Sequence, residues 1–180
     1  MGYVEETGAA QYLRDARIAT IYEGTTGIQA GDLVGRKLTM DNGSAMAALI
    51  GEMRAVEGQL GGSDNIDFPA IRENFAIGIQ ALEQATQWML QTIGQDPNAA
   101  LGASVNYMML TGYVCGGWQM ARAALAARAQ LAEVADEDFY RAKIATARFY
   151  AEQILPKASA LLAAVKSGGS TALMLSEDQF

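Results

Sequence analysis

The chain has 180 residues, a net charge of −7, one cysteine, no histidine, and a composition that is 51% hydrophobic. That length holds one domain, or one domain and part of another, with ample material for a core. The missing histidines exclude a Ser-His-Asp triad, a Cys-His pair and any His-built zinc site, so no metal is expected. A single thiol excludes an internal disulfide. The acidic balance argues against nucleic acid. Chemistry is left to carboxylates, hydroxyls, Lys, Arg, the backbone or a cofactor.

Alanine is abundant, there are three prolines, and no run of alternating β-branched residues occurs, so the chain reads as all-α. The first fifteen residues lack a basic stretch followed by an apolar one, and no signal peptide is read there. A cytoplasmic, reducing location is expected. A helix is predicted over about Glu5 to Ile18, with Tyr12, Leu13 and Ala16 as its apolar stripe. The turn Ile21-Tyr22-Glu23-Gly24-Thr25-Thr26-Gly27-Ile28-Gln29 follows. Thr25 or Thr26 can cap a second helix running to Leu38 through Ile28, Leu33 and Val34. Residues 39–43 (TMDNG) read as a linker between a unit at 1–38 and one at 44–166.

Four longer helices are predicted in that second unit. The first starts at Ser44, read as its N-cap, and runs through Leu49, Ile50, Met53 and Val56 to Gly58. The second opens at Asp67 with Pro69 just inside, and ends near Gly94. Its apolar face is Ile71, Phe75, Ile79, Leu82, Trp88 and Met89. Asp96-Pro97 opens the third, with Leu101, Val105, Met108, Met109, Tyr113, Trp118 and Leu125. Gly112 and Gly116, four apart, are expected to admit a neighbouring helix. Asp136 caps the fourth, from Phe139 to Val165, which Pro156 should kink. Residues 167–180 form a tail. The pattern implies an up-down four-helix bundle preceded by a helix-turn-helix. The uncharged stretch from Pro97 to Ala121 holds Asn98, Asn106, Gln119, two tyrosines and four glycines, and is read as a buried helix, with membrane contact not expected.

The bundle offers little chemistry. Its carboxylates, Glu52, Glu57, Glu73, Glu83 and Glu152 among them, sit singly, and Cys115 lies in an apolar run as a buried, inert thiol. No phosphate-cradling glycine loop and no GxSxG occurs. The turn at residues 21–29 stands apart. A carboxylate at a glycine-bearing turn suits a general base, the glycine lets a substrate approach the backbone, and the following helix N-terminus offers free N–H groups. From the residues alone, a plain capped turn remains the other reading.

A family resemblance bears on this choice. Met1-Gly2-Tyr3 resembles the end of a GG-x-G-(Y/F) motif, Leu13-Arg14-Asp15-Ala16-Arg17 resembles an LxRDAR helix, and Ile21-Tyr22-Glu23-Gly24-Thr25 with Ile28-Gln29 resembles IYEGTxxIQ. In register over Gly2 to Leu38, the three resemble the C-terminal end of the acyl-CoA dehydrogenase family. Thr25 to Lys37 resembles the subfamily with an additional C-terminal helical domain, which would be Ser44 to Phe180. The resemblance implies oxidation of an acyl-CoA thioester to trans-2-enoyl-CoA with FAD. It implies Glu23 as the base that removes the α-proton, the β-hydride passing to the flavin N5. The Glu23 backbone N–H and a flavin ribityl hydroxyl would hold the thioester carbonyl. It implies Tyr22 and Gly24 against the substrate, and Thr25, Gly27 and Gly2 against FAD, Gly2 toward that of a neighbouring subunit. Gly27 stands where many members carry a polar side chain, so its contact would be backbone only. Implied partners are an electron-transferring flavoprotein and further copies of the chain, in a dimer or tetramer. Family members carry an N-terminal helical domain, a β-domain and most of a first bundle ahead of this segment, so the chain alone is expected neither to hold FAD tightly nor to turn over. The alternative is a non-catalytic helical module for assembly or dimerisation of that enzyme.

Overall fold

The computed structural model describes residues 4–21, 24–131 and 137–179. These residues form helices and turns, with no strand among them. After a 3-10 turn at Glu5–Thr7 comes α1 (Ala9–Ile18). Gly8 between them has φ 74°, a conformation that costs a glycine little, and it splits the single helix expected from Glu5. α2 runs Thr26–Asp32 and continues through a π-helical turn at Leu33–Lys37 into Leu38–Met40. Then follow α3 (Ser44–Gly61), α4 (Phe68–Ile93), α5 (Pro97–Gly102), α6 (Ser104–Gln130), α7 (Glu137–Gln153) and α8 (Lys157–Ser167).

Four helical columns make the bundle: α3, α4, α6 headed by α5, and α7 followed by α8. α3 packs on α4 and α6, α4 on α6, and both α7 and α8 on α4 and α6. The core is Met53 and Leu60 from α3, Phe68, Ile71, Phe75, Ile79, Leu82 and Met89 from α4, and Tyr107, Leu110 and Val114 from α6. Alanines at 121, 124, 147, 151 and 158 fill the closest approaches. Each fully buried large side chain contributes about 1.5–3 kcal/mol relative to exposure. The Thr86 and Tyr107 hydroxyls form a polar pair inside, 2.9 Å apart.

Several local expectations change. α6 turns its apolar stripe differently from the sequence reading. Leu101, Val105 and Met109 are exposed, and the buried face is Tyr107, Leu110, Val114, Gly117, Ala121 and Ala124. Gly112 and Gly116 do not share a packing face. A side chain at Gly112 would meet open space, whereas one at Gly116 would strike Tyr150, whose hydroxyl donates to the Tyr113 carbonyl at 3.1 Å. The close approach continues at Gly117, under the Leu155 methyls. Ser44 does not cap α3. Asp41 does so from three residues earlier, accepting from Gly43 N at 3.0 Å and Ala45 N at 2.8 Å. Asp67 caps nothing by its side chain, which accepts from Arg148 at 2.8 Å. Asp96 does cap, accepting from Ala99 N at 3.0 Å.

At Pro156 the fourth column breaks into two helices, because proline has no N–H to continue the ladder. Asp136, the expected cap of that column, lies outside the described residues. The tail is tied down where it starts: Gly169 N donates to the Ala99 carbonyl at 2.9 Å, and the Gly169 backbone lies so close to Gly102 that neither position has room for a Cβ. Ion pairs decorate the surface. Arg54 grips Glu83 through two nitrogens, at 2.8 and 3.2 Å, and also reaches Glu57, which pairs with Arg72.

Candidate functional site

The motif singled out at residues 21–29 sits where α2 begins. Thr25 is the N-cap, with φ −57° and ψ 152°, and its Oγ1 accepts from Ile28 N at 3.3 Å. Its carbonyl accepts from Gln29 N at 3.0 Å. Thr25 rather than Thr26 therefore caps the helix. Gly24, Thr25 and Gly27 are exposed, and a side chain added at Gly27 would meet nothing within 4 Å. Glu23 and Tyr22 lie outside the described residues, as does Gly2. Of the six residues singled out as a site, the structure places Gly24, Thr25 and Gly27 together on one edge.

Around that edge the apolar side chains stand open. Tyr12 is 79% exposed, Ile28 is 68% exposed, and Leu13, Ile18 and Ile21 are exposed with them. On α1 only Ala10 is buried. The stripe read along α1 is thus an uncovered face in this chain. α2 is anchored instead by its other side: Ala30, Val34 and Leu38 are buried, and the helix packs on α6. On the outer face Asp32 accepts from Arg36 Nε and Nη2 at 2.6 and 2.9 Å, with Lys37 at 3.5 Å. The Arg36 hydrogen bond, chiefly, holds the Asp32 carboxyl below its usual range.

Among the described residues, the bundle itself gathers no comparable group. Among the described residues, no cluster of three or more His, Cys, Asp or Glu could hold a metal ion. A cavity of about 180 Å³ between α2 and α3 is lined by Leu33, Lys37, Leu38, Asp41, Ala45, Met46 and Leu49. It falls below the roughly 300 Å³ at which small-molecule pockets begin, while two larger, open grooves of about 570 and 530 Å³ run between α3 and α6 and between α3 and α4. Cys115 is half-buried, and burial pushes its thiol pKa up, away from a reactive thiolate. Among the described residues, no helix is long and apolar enough to cross a membrane. The reading along the sequence missed the anchoring of α2. Its signal was available as Ala30, Val34 and Leu38 at four-residue spacing, but Ala30 is too small to stand out among so many alanines.

Comparison with known proteins places these features in a class of helical domains from CoA-thioester dehydrogenases. Residues 46–176 match the model described as acetyl-CoA dehydrogenase C-terminal like, and residues 1–39 match the acyl-CoA dehydrogenase C-terminal domain. The chain belongs to the acyl-CoA dehydrogenase family and corresponds to its C-terminal helical part. It is 44% identical over 98% of its length to a 3-methylmercaptopropionyl-CoA dehydrogenase of Ruegeria pomeroyi, covering 30% of that protein. It is 33% identical over 86% of its length to a broad-specificity linear acyl-CoA dehydrogenase of Mycobacterium tuberculosis, covering 26% of it. A butyryl-CoA dehydrogenase of Syntrophomonas wolfei is 30% identical over 99% of the chain, which again spans 30% of the relative. The chain thus spans less than a third of the length of these relatives.

Proposed function

We infer that the enzyme to which this chain belongs oxidises an acyl-CoA thioester to trans-2-enoyl-CoA. Glu23 is the base for the α-proton, Tyr22 and Gly24 border the substrate, and Thr25, Gly27 and Gly2 border FAD. The reading is carried by the turn at Gly24–Thr25. It follows Glu23 directly in the chain, Gly24 and Thr25 are exposed, and it opens a helix anchored from behind.

Breaking a C–H bond next to a thioester needs a positioned base and donors aimed at the carbonyl oxygen. A glutamate carries its charge at neutral pH and accepts the proton, and the backbone N–H of Glu23 is the donor this chain brings to the oxygen. FAD, when bound, supplies the hydride acceptor. The described residues suit such a neighbour. Thr25 Oγ1 spends a lone pair on Ile28 N and keeps its hydrogen to donate, and Gly27 leaves space for a flat group to approach the backbone. Residues 1–38 then complete a catalytic helical domain, residues 44–166 form the appended bundle, 39–43 join them, and 167–180 strap the end. In this reading an electron-transferring flavoprotein is the acceptor, and the holoenzyme is a dimer or tetramer.

The test is Glu23→Gln in the full-length enzyme, assayed by dye reduction over a panel of straight-chain acyl-CoA thioesters. Turnover should fall by roughly 10³-fold or more, with the flavin retained. Retained turnover would move the base elsewhere. The 180-residue chain alone should purify colourless and inactive; a yellow, active preparation would contradict that.

A second reading, the bundle as an assembly module of the same enzyme, draws on Val105 and Met109, exposed one turn apart on α6 beside Leu101. Val105→Asp with Met109→Asp should then lower the mass of the full-length enzyme in light scattering. An unchanged mass rules this face out.

A further inference from the structure

Ala30 and Val34 are both 0% exposed, on the helix that leads straight out of the Gly24–Thr25 turn. Around them Gly27, Ile28, Gly35, Arg36 and Lys37 are exposed, and Gln29, Gly31, Asp32 and Leu33 are half-buried. The buried line is therefore Ala30, Val34 and Leu38, in two steps of four. In an α-helix each such step overshoots a full turn by about 40°, so two steps would carry Leu38 about 80° away from the contact. The π turn at Leu33–Lys37 takes more residues per turn and cancels the drift over the second step. All three side chains stay on the bundle.

The seam begins where the turn ends. Ile28 N–H is bound to the Thr25 hydroxyl, Gln29 N–H to the Thr25 carbonyl, and Ala30 is the next residue. Thr25 and Ala30 are separated by about 7.5 Å along the helix axis. On the other side of the turn, α1 gives no comparable hold. We propose that Ala30 and Val34 are positioning residues: by locking α2 to α6 they fix the backbone of Gly24 and Thr25 where the substrate meets it. The bundle then serves the reaction by holding one edge of the site, although it contributes no reacting group. This rests on the function proposed above.

The test uses the full-length enzyme at a temperature where every variant is folded by circular dichroism. Val34→Ala loosens the seam, Val34→Ile keeps it filled, and Leu60→Ala removes core volume about 24 Å along α3 from Ser44, far from the seam. Hydrogen exchange is followed at the Ile28 and Gln29 amides, and flavin reduction in single turnovers with the acyl-CoA used fastest. In Val34→Ala, exchange at both amides should speed up about tenfold. Reduction should slow about fivefold or more, with KM within about twofold. Val34→Ile should restore both, and Leu60→Ala should leave both within about twofold. The proposal is overturned if Val34→Ala leaves either exchange or reduction unchanged, if Val34→Ile fails to rescue, or if Leu60→Ala has the same effect. Glu23→Gln in the same assay separates the two levels. If it retains reduction, the underlying function falls. If it loses reduction while Val34→Ala does not slow it, the positioning role alone falls.

Discussion

Two glycines on one helix should respond oppositely to the same substitution. Gly112 and Gly117 both lie inside α6, so replacing either with alanine removes the same backbone freedom and gains about 0.8–1 kcal/mol of helix propensity. At Gly112 nothing lies within 4 Å of the new methyl, and that gain is the whole effect. At Gly117 the methyl falls 2.8 Å from both Leu155 methyls and 3.1 Å from its Cγ. Leu155 has nowhere to retreat. It is 2% exposed, one of its methyls is 3.1 Å from where a Cβ on Gly78 would stand, and Pro156 fixes the backbone after it. Overpacking of this kind costs about 1–3 kcal/mol, and the trapped leucine puts this case in the upper half. The net is about 1–2 kcal/mol lost at Gly117 against about 1 kcal/mol gained at Gly112. For a chain this long, 1 kcal/mol moves Tm by about 2–4 °C. Thermal unfolding followed at 222 nm should therefore show Gly112→Ala up by about 2–4 °C and Gly117→Ala down by about 2–8 °C. If Gly117→Ala rises alongside Gly112→Ala, the packing argument for this face of α6 is wrong.

Two further outcomes concern polar groups. Thr86→Val strips the buried Tyr107 hydroxyl of its 2.9 Å partner and should cost about 1–3 kcal/mol in urea unfolding; adding Tyr107→Phe should recover most of it, and additive losses would refute the pairing. Asp32, held low by Arg36, has a folded pKa below its unfolded one, so its contribution is present above the ordinary aspartate value of about 3.9 and is lost as pH falls through the folded value. An NMR titration of Asp32 should have its midpoint below that of an unfolded aspartate and move up in Arg36→Gln; an unmoved midpoint would contradict the ion pair.

Much of the fold was legible because alanine-rich, proline-poor segments with caps and breakers can be read locally. Asp96 and Thr25 cap as their side-chain chemistry suggests, and Pro156 breaks its column for want of an N–H. The candidate turn was legible too, through the run from Ile21 to Gln29. The face of α6 was not. Its first half carries apolar residues on every side, so periodicity could not choose between Val105–Met109 and Tyr107–Leu110–Val114, and the choice fell to where α4, α7 and α8 lie. Asp41, Gly117 and Gly169 acquire their roles from atoms that folding brings to them.

The sequence by itself determined the helical class, the starts and breaks of most helices, and the family motif with its carboxylate, because each depends on residues a few positions apart. Only the tertiary structure decided which side of α2 is held. Ala30 and Val34 matter because α6 happens to cover them, and Tyr12 and Ile28 stay open because no described residue does. Burial is a relation between segments distant in the chain, and local pattern does not contain it.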